Sequence, residues 1–128
     1  KGRIMLKMTM FARRLPSLDH AEFDRYWREV HGPLVTSLAE PLRIRRYIQT
    51  TVDVDDPVQE TLREARGTLA VDFDGFGELW WESLDDYRAI RSTPEGLAAV
   101  AEITADERRF VDLSNSCLWF GIERPMVE

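Results

Sequence analysis

The sequence predicts an α+β domain in the order β-α-β-β-α-β, with a four-stranded antiparallel sheet and its helices on one face. Three observations predict it. Stretches of period-2 hydrophobic alternation open and close the chain and recur twice between. Two strong helix-start signatures, at Asp19 and Thr93, separate them. The length of 128 residues, 44% hydrophobic and 31% charged, suits one globular core, so a single domain over 1–128 is expected.

Residues 4–12 alternate Ile4, Leu6, Met8 and Met10 against Met5, Lys7, Thr9 and Phe11, the pattern of a strand between two environments. After Pro16, Asp19 with Glu22 forms a capping box, and Leu18 against Phe23 forms a hydrophobic staple. Phe23, Trp27, Val30 and Leu34 then make one apolar stripe. Proline lacks an N–H and disfavours helical dihedrals before it, so the helix is expected to break or kink at Gly32-Pro33, beside His31.

Leu42–Val52 reads as the second strand, with Arg45, Tyr47 and Gln49 on one side and Ile44, Arg46 and Ile48 on the other. An acidic excursion, 53–72, contains a short helix around 58–66. Phe73–Glu82 is the third strand. Ser83 with Asp86 starts a short helix, and Thr93-Pro94 starts another whose stripe is Leu97, Val100, Ile103 and Phe110. Cys117–Glu123 closes a ferredoxin-like layout.

In that layout one sheet face has no helix over it, yet strand three carries Phe76 and Trp80 on one side and Leu79 and Trp81 on the other. One helix layer cannot hide both. The uncovered face is therefore expected to be an interface or a cavity wall, and a homodimer pairing sheet to sheet satisfies it. The polar trio Arg45, Tyr47 and Gln49 is expected on the cavity side, away from the helices.

The net charge of −6, with scattered basic residues, argues against nucleic acid or an anionic membrane surface as partner. Cys117 is the sole cysteine, so no intrachain disulfide forms. The apolar runs are far shorter than a membrane span and no charged-then-apolar leader opens the chain, so a cytoplasmic location is expected. Two histidines separated by a helix, with His20 at its exposed first turn and His31 at its far end, do not make a metal site, and no phosphate loop or nucleophile elbow appears. No cofactor is expected, with haem ligation by His31 as the minor alternative.

The run Asp19-His20-Ala21-Glu22-Phe23-Asp24-Arg25-Tyr26-Trp27-Arg28-Glu29-Val30-His31-Gly32-Pro33-Leu34-Val35 resembles the EthD signature. So do Asp74-Gly75 through Glu78-Leu79-Trp80-Trp81 and Asp106-Glu107 through Phe110-Val111-Asp112, and the resemblance covers nearly the whole chain. It implies two ferredoxin-like domains paired as a homodimeric α+β barrel. Similar proteins include cofactor-free dehydratases and cyclases of aromatic polyketides, muconolactone isomerases, cofactor-free monooxygenases, and an accessory protein of an ether-degrading oxidase.

His31 is the candidate acid-base group, because imidazole takes and gives protons near neutrality; the alternative is that it caps carbonyls freed at the proline. Tyr47 is the candidate donor to a substrate carbonyl. Its place and that of His31 match the helix His and strand-two Tyr of the isomerases, whose strand-three cysteine is Leu79 here. Trp27, Arg45, Leu79, Trp80, Trp81 and Trp119 are the candidate binding residues, with core or dimer packing as the alternative for each tryptophan. Glu78 reads as a base if buried or, equally well, as an ion-pair partner of Arg43 or Arg45.

The leading expectation is a cofactor-independent enzyme that dehydrates, cyclises or isomerises a mostly apolar cyclic carbonyl compound, such as a polyketide or aromatic-degradation intermediate. A cofactor-free oxygenase acting on a phenolic ring and a non-catalytic accessory or binding protein are the alternatives.

Overall fold

The computed structural model describes residues 4–128. Strand β1 (Leu6–Ala12) directs Leu6, Met8, Met10 and Ala12 to one side of the sheet and Lys7, Thr9 and Phe11 to the other. The first set joins the buried clusters that pack under the helices.

Helix α1 (His20–Tyr26) begins with the predicted capping box: Asp19 Oδ1 accepts from the Glu22 N–H at 2.8 Å and Glu22 Oε1 accepts from the Asp19 N–H at 2.9 Å. The break expected at Gly32-Pro33 does not occur. Instead the chain widens into a π-helical turn, Trp27–His31, and runs on as α2 (Gly32–Ser37), with Gly32 at φ −56 and ψ −51. The Gly32 N–H reaches back to the Trp27 carbonyl. The widening falls where Pro33 has no N–H to give and where its ring would strike the Glu29 carbonyl four residues back.

The extra residue in the turn resets the inward face. Phe23, Trp27, His31 and Val35, each four apart, are all buried, whereas Val30 is 44% exposed. The expected stripe through Val30 and Leu34 holds only for a regular α-helix; the π turn moves it to His31 and Val35.

Strand β2 (Arg46–Thr51) starts later than its apolar pattern suggested, because Arg43 at φ 57 turns the backbone into the left-handed region first. Helix α3 (Val58–Arg66) matches the predicted piece, ends on left-handed Gly67 and buries none of its residues. After β3 (Gly75–Trp81) come α4 (Leu84–Ala89), capped by Ser83, and α5 (Pro94–Glu107), capped by Thr93. Along α5 the inward positions are Gly96, Ala99 and Asp106, while Leu97 is 53% exposed. Strand β4 (Cys117–Ile122) completes an antiparallel sheet of order β2-β3-β1-β4, the ferredoxin-like arrangement. No helix among the described residues is long and apolar enough to cross a membrane.

The core has two centres. One joins Leu6, Leu42, Trp81, Ile90 and Ala99; the other joins Ala12, Phe23, Trp27, Phe110 and Val111. Trp27 is held by close approach to β3: a Cβ on Gly75 would lie 2.4 Å from its ring, whereas one on Gly77 would lie at an ordinary 3.7 Å.

Below α1, His20 clasps two loops. Its Nδ1 lies 2.8 Å from Asp74 Oδ1 and its Nε2 meets Asp53, while Asp74 also accepts from the Arg14 N–H and guanidinium at 2.8 and 3.0 Å. Carboxylates only accept, so both ring nitrogens must carry protons. Burial alone would lower the His20 pKa, but the hydrogen bonds and charges of Asp74 and Asp53 outweigh it and raise the value.

Two stability predictions follow from these contacts. Gly75→Ala should cost roughly 1–3 kcal/mol and Gly77→Ala less than about 1 kcal/mol in urea denaturation; equal costs would mean that Trp27 is not fixed by Gly75. A raised folded-state pKa contributes stability that is full below about pH 6.5 and is lost as pH rises through the folded value. His20→Gln should therefore destabilise more at pH 5.5 than at pH 8.5, by about 1 kcal/mol, and a pH-independent cost would contradict the clasp.

Candidate active site

A cavity of about 260 Å³ lies between the helices and the sheet and runs from one core centre to the other. Met8, Met10, Leu79, Trp81 and Ile103 give it apolar walls. Its polar groups are few: His31, Tyr47, Tyr87, Glu107, Thr104 and Arg91.

Of the residues singled out from sequence, His31, Tyr47, Trp27, Leu79 and Trp81 line this cavity. Trp80 and Trp119 do not. Trp80 projects from the opposite sheet face between Lys7 and Arg46, whose cationic groups stand 5.1 and 4.7 Å from its ring, and Trp119 is 67% exposed on that same face. Arg45 pairs with Glu82 at 2.7 Å, outside the cavity, and Glu78 pairs with Lys7 rather than with Arg43 or Arg45.

Tyr47 and Gln49 face the helices, not the uncovered side as their polarity suggested. The widened turn supplies the reason: Gln49 Nε2 donates to the Trp27 carbonyl at 2.9 Å and to Tyr47 Oη at 2.9 Å, so a polar pair is satisfied under the helix layer. Burial raises the Tyr47 pKa, Gln49 opposes this, and nearby Glu107 adds to it.

His31 is 5% exposed, and its Nδ1 lies 2.8 Å from Asp106 Oδ2. The carboxylate is only an acceptor, so Nδ1 carries the hydrogen and neutral His31 keeps its lone pair on Nε2. It does not cap carbonyls at the proline. Asp106 is itself 2% exposed and also accepts from Tyr26 Oη at 2.5 Å and Arg109 Nη1 at 2.9 Å. Burial would raise the Asp106 pKa, but the hydrogen bonds from Tyr26, His31 and Arg109 prevail and lower it. For His31, burial prevails over the Asp106 hydrogen bond and charge, and its pKa is lowered. The pair is thus a neutral imidazole held by a carboxylate.

Asp106 and Glu107 were not singled out as site residues from sequence. Their signal lay in α5's own period: from Ala99 and Ile103 the next inward position is Asp106, and from Val100 and Ile103 it is Glu107. Burial raises the Glu107 pKa, with Asp106 adding and Arg108 opposing, so this carboxyl holds its proton to higher pH than an ordinary glutamate. Among the described residues no three His, Cys, Asp or Glu side chains are grouped so as to hold a metal ion.

Fold and site together define a ferredoxin-like domain with an apolar cavity between helices and sheet that carries His31, Tyr47 and Glu107 in its lining. The chain belongs to the EthD domain family, whose model matches residues 15–114. It is 27% identical over 125 residues to the conidial pigment biosynthesis dehydratase EthD of Metarhizium robertsii, covering 97% of this chain and 86% of that protein. An ethyl tert-butyl ether D family protein from Bacillus halodurans superposes with a TM-score of 0.60 at 20% identity, covering 94% of this chain and 99% of that one. A hydroxynitrile lyase from Passiflora edulis also gives 0.60, at 14% identity and 97% of each chain. These two likenesses are likenesses of fold.

Nitrogen-15 NMR checks the dyad directly. Neutral His31 should be the Nδ1–H tautomer and titrate below about pH 6.5. Asp106→Asn should lower that midpoint further, since the lost charge favoured the imidazolium, and should mix the tautomers. An Nε2–H tautomer in the unaltered protein would exclude the arrangement.

Proposed function

We propose that this protein dehydrates a small, mostly apolar cyclic carbonyl compound without a cofactor, with cyclisation and then isomerisation as the related chemistries next in order. The observation that carries the reading is His31, locked through Nδ1 to buried Asp106, in the wall of an apolar cavity that also holds Tyr47 and Glu107. The dehydratase name of the Metarhizium relative supports the reaction class. An apolar cavity of roughly 150 Å³ accepts benzene, so 260 Å³ suits one or two fused rings.

The chemistry follows from the protonation states. His31 Nε2, unprotonated near neutrality, removes a proton from the carbon next to the carbonyl. The Tyr47 hydroxyl hydrogen-bonds the oxygen on which enolate charge develops, and its raised pKa keeps the phenol protonated for that purpose. Collapse of the enolate forms the C=C bond and breaks the bond to the β-hydroxyl, which takes a proton from Glu107 and leaves as water. The imidazolium then returns its proton to Glu107, directly or through that water, and the cycle closes. Asp106 acts through His31, fixing its tautomer and stabilising its charged form.

The outer sheet face supports a homodimer. Phe11 and Phe76 pack 5.4 Å apart there, and Trp119 stands exposed beside β1, so pairing two such faces would bury aromatic surface that one copy leaves to water.

With a dehydration substrate in hand, His31→Ala should lower kcat by about 10²- to 10⁴-fold and Tyr47→Phe by about 10²-fold, with thermal stability read in parallel. The acid limb of kcat/KM should fall below about pH 6.5, following free His31. Unchanged turnover in His31→Ala would end the proposed mechanism.

A further inference from the structure

Arg91 has no part in the acid-base chemistry, yet it lines the same cavity. It lies in the 3-10 turn Ile90–Ser92 between α4 and α5, with its guanidinium 5.5 Å over the Tyr87 ring. Tyr87 is fixed in turn by edge contacts with Trp81 and Phe120, each at 4.9 Å. Seven other arginines, Arg14, Arg28, Arg43, Arg45, Arg63, Arg88 and Arg109, meet a carboxylate. Arg91 meets none among the described residues, nor do Arg13, Arg25, Arg46, Arg66, Arg108 and Arg124, but of these Arg91 alone lines the cavity.

Its position in the cavity is distinctive. Trp27 sits over Gly75 and Gly77 at the beginning of β3, next to His31, whereas Trp81, at the end of β3, touches Tyr87. Four residues of strand separate Gly77 from Trp81, about 13 Å. Along α5, Val100 and Glu107 both line the cavity about 10 Å apart. Both tracks put the acid-base groups at one end of an elongated apolar space and Arg91 at the other.

We infer that Arg91 is an anion-recognition subsite, so that the cavity's ligand is a one- or two-ring compound bearing a carboxylate at the end opposite its reacting carbonyl. An arginine suits this task because its planar fork donates to a carboxylate through two parallel hydrogen bonds. Stacking on Tyr87 holds the fork without consuming its donors. A long arginine stem also covers apolar surface, and the test must separate that wall-forming role from recognition of charge. The assignment of the opposite end rests on the proposed acid-base reading; the subsite itself does not.

Isothermal titration calorimetry with two isosteric probes, 2-naphthoate and neutral 2-naphthamide, makes the separation. Arg91→Gln should weaken 2-naphthoate about tenfold and leave 2-naphthamide within twofold, while Arg91→Lys should recover part of the naphthoate affinity. Added salt should weaken naphthoate alone. Equal losses for both probes, or unchanged naphthoate binding in Arg91→Gln, would overturn the subsite. If the unaltered protein binds naphthamide but not naphthoate, the subsite fails and the acid-base cavity stands; if it binds neither, both fail.

Discussion

Pro33 has no amide hydrogen, and the way the helix accommodates that missing donor sets the rest of the molecule. The turn widens by one residue between Trp27 and His31, and the inward-facing positions then fall every fourth residue through Phe23, Trp27, His31 and Val35. A regular helix would have turned Val30 inward and carried the imidazole away from the core. The Trp27 carbonyl in the widened turn also gives Gln49 something to bond, and Gln49 in turn engages Tyr47. One absent hydrogen thereby brings a histidine and a tyrosine from two elements to one cavity.

Placing an imidazole in the core has a cost, and α5 meets it. Desolvation disfavours the charged ring, while Asp106 offers the single acceptor that keeps Nδ1–H satisfied. That carboxylate would itself be expensive to bury, but it accepts from Tyr26 and Arg109 as well as His31, and so remains ionised. The network is polar, reaches the surface through Arg109 and packs against Phe110, whose ring lies 4.9 Å from the imidazole. Below it, the split core leaves a space that neither aromatic cluster fills, and the groups able to move protons gather at one end of that space.

The two faces of the sheet serve different ends. On the helix side, Leu79 and Trp81 of β3 contact the cavity. On the other side, Trp80 is covered by the stems and charges of Lys7 and Arg46, and Lys7 is tied to Glu78 and Glu123. Adjacent tryptophans thus point into different environments for the simple reason that side chains alternate along a strand.

The sequence by itself determined the element order, the two capped helix starts, the short helix at 58–66 and the alternation that separates Trp80 from Trp81, because each is a local matter of period, capping and backbone freedom. It also marked His31, Tyr47, Trp27, Leu79 and Trp81 through residue chemistry and family motifs, but in one set with Arg45, Trp80 and Trp119, which lie outside the cavity. Only the tertiary structure decided which sheet face holds the cavity, since strand period gives two faces without saying which one the helices cover. It alone shifted the helix stripe from Val30 to His31, because a π turn changes the period that sequence reading assumes. It joined Asp106 and His31 across 75 residues of chain, and it assigned Trp119 and Arg45 to other surroundings, because long-range pairing depends on how elements pack. Local rules choose the elements; the closing of helices over the sheet chooses the company each side chain keeps.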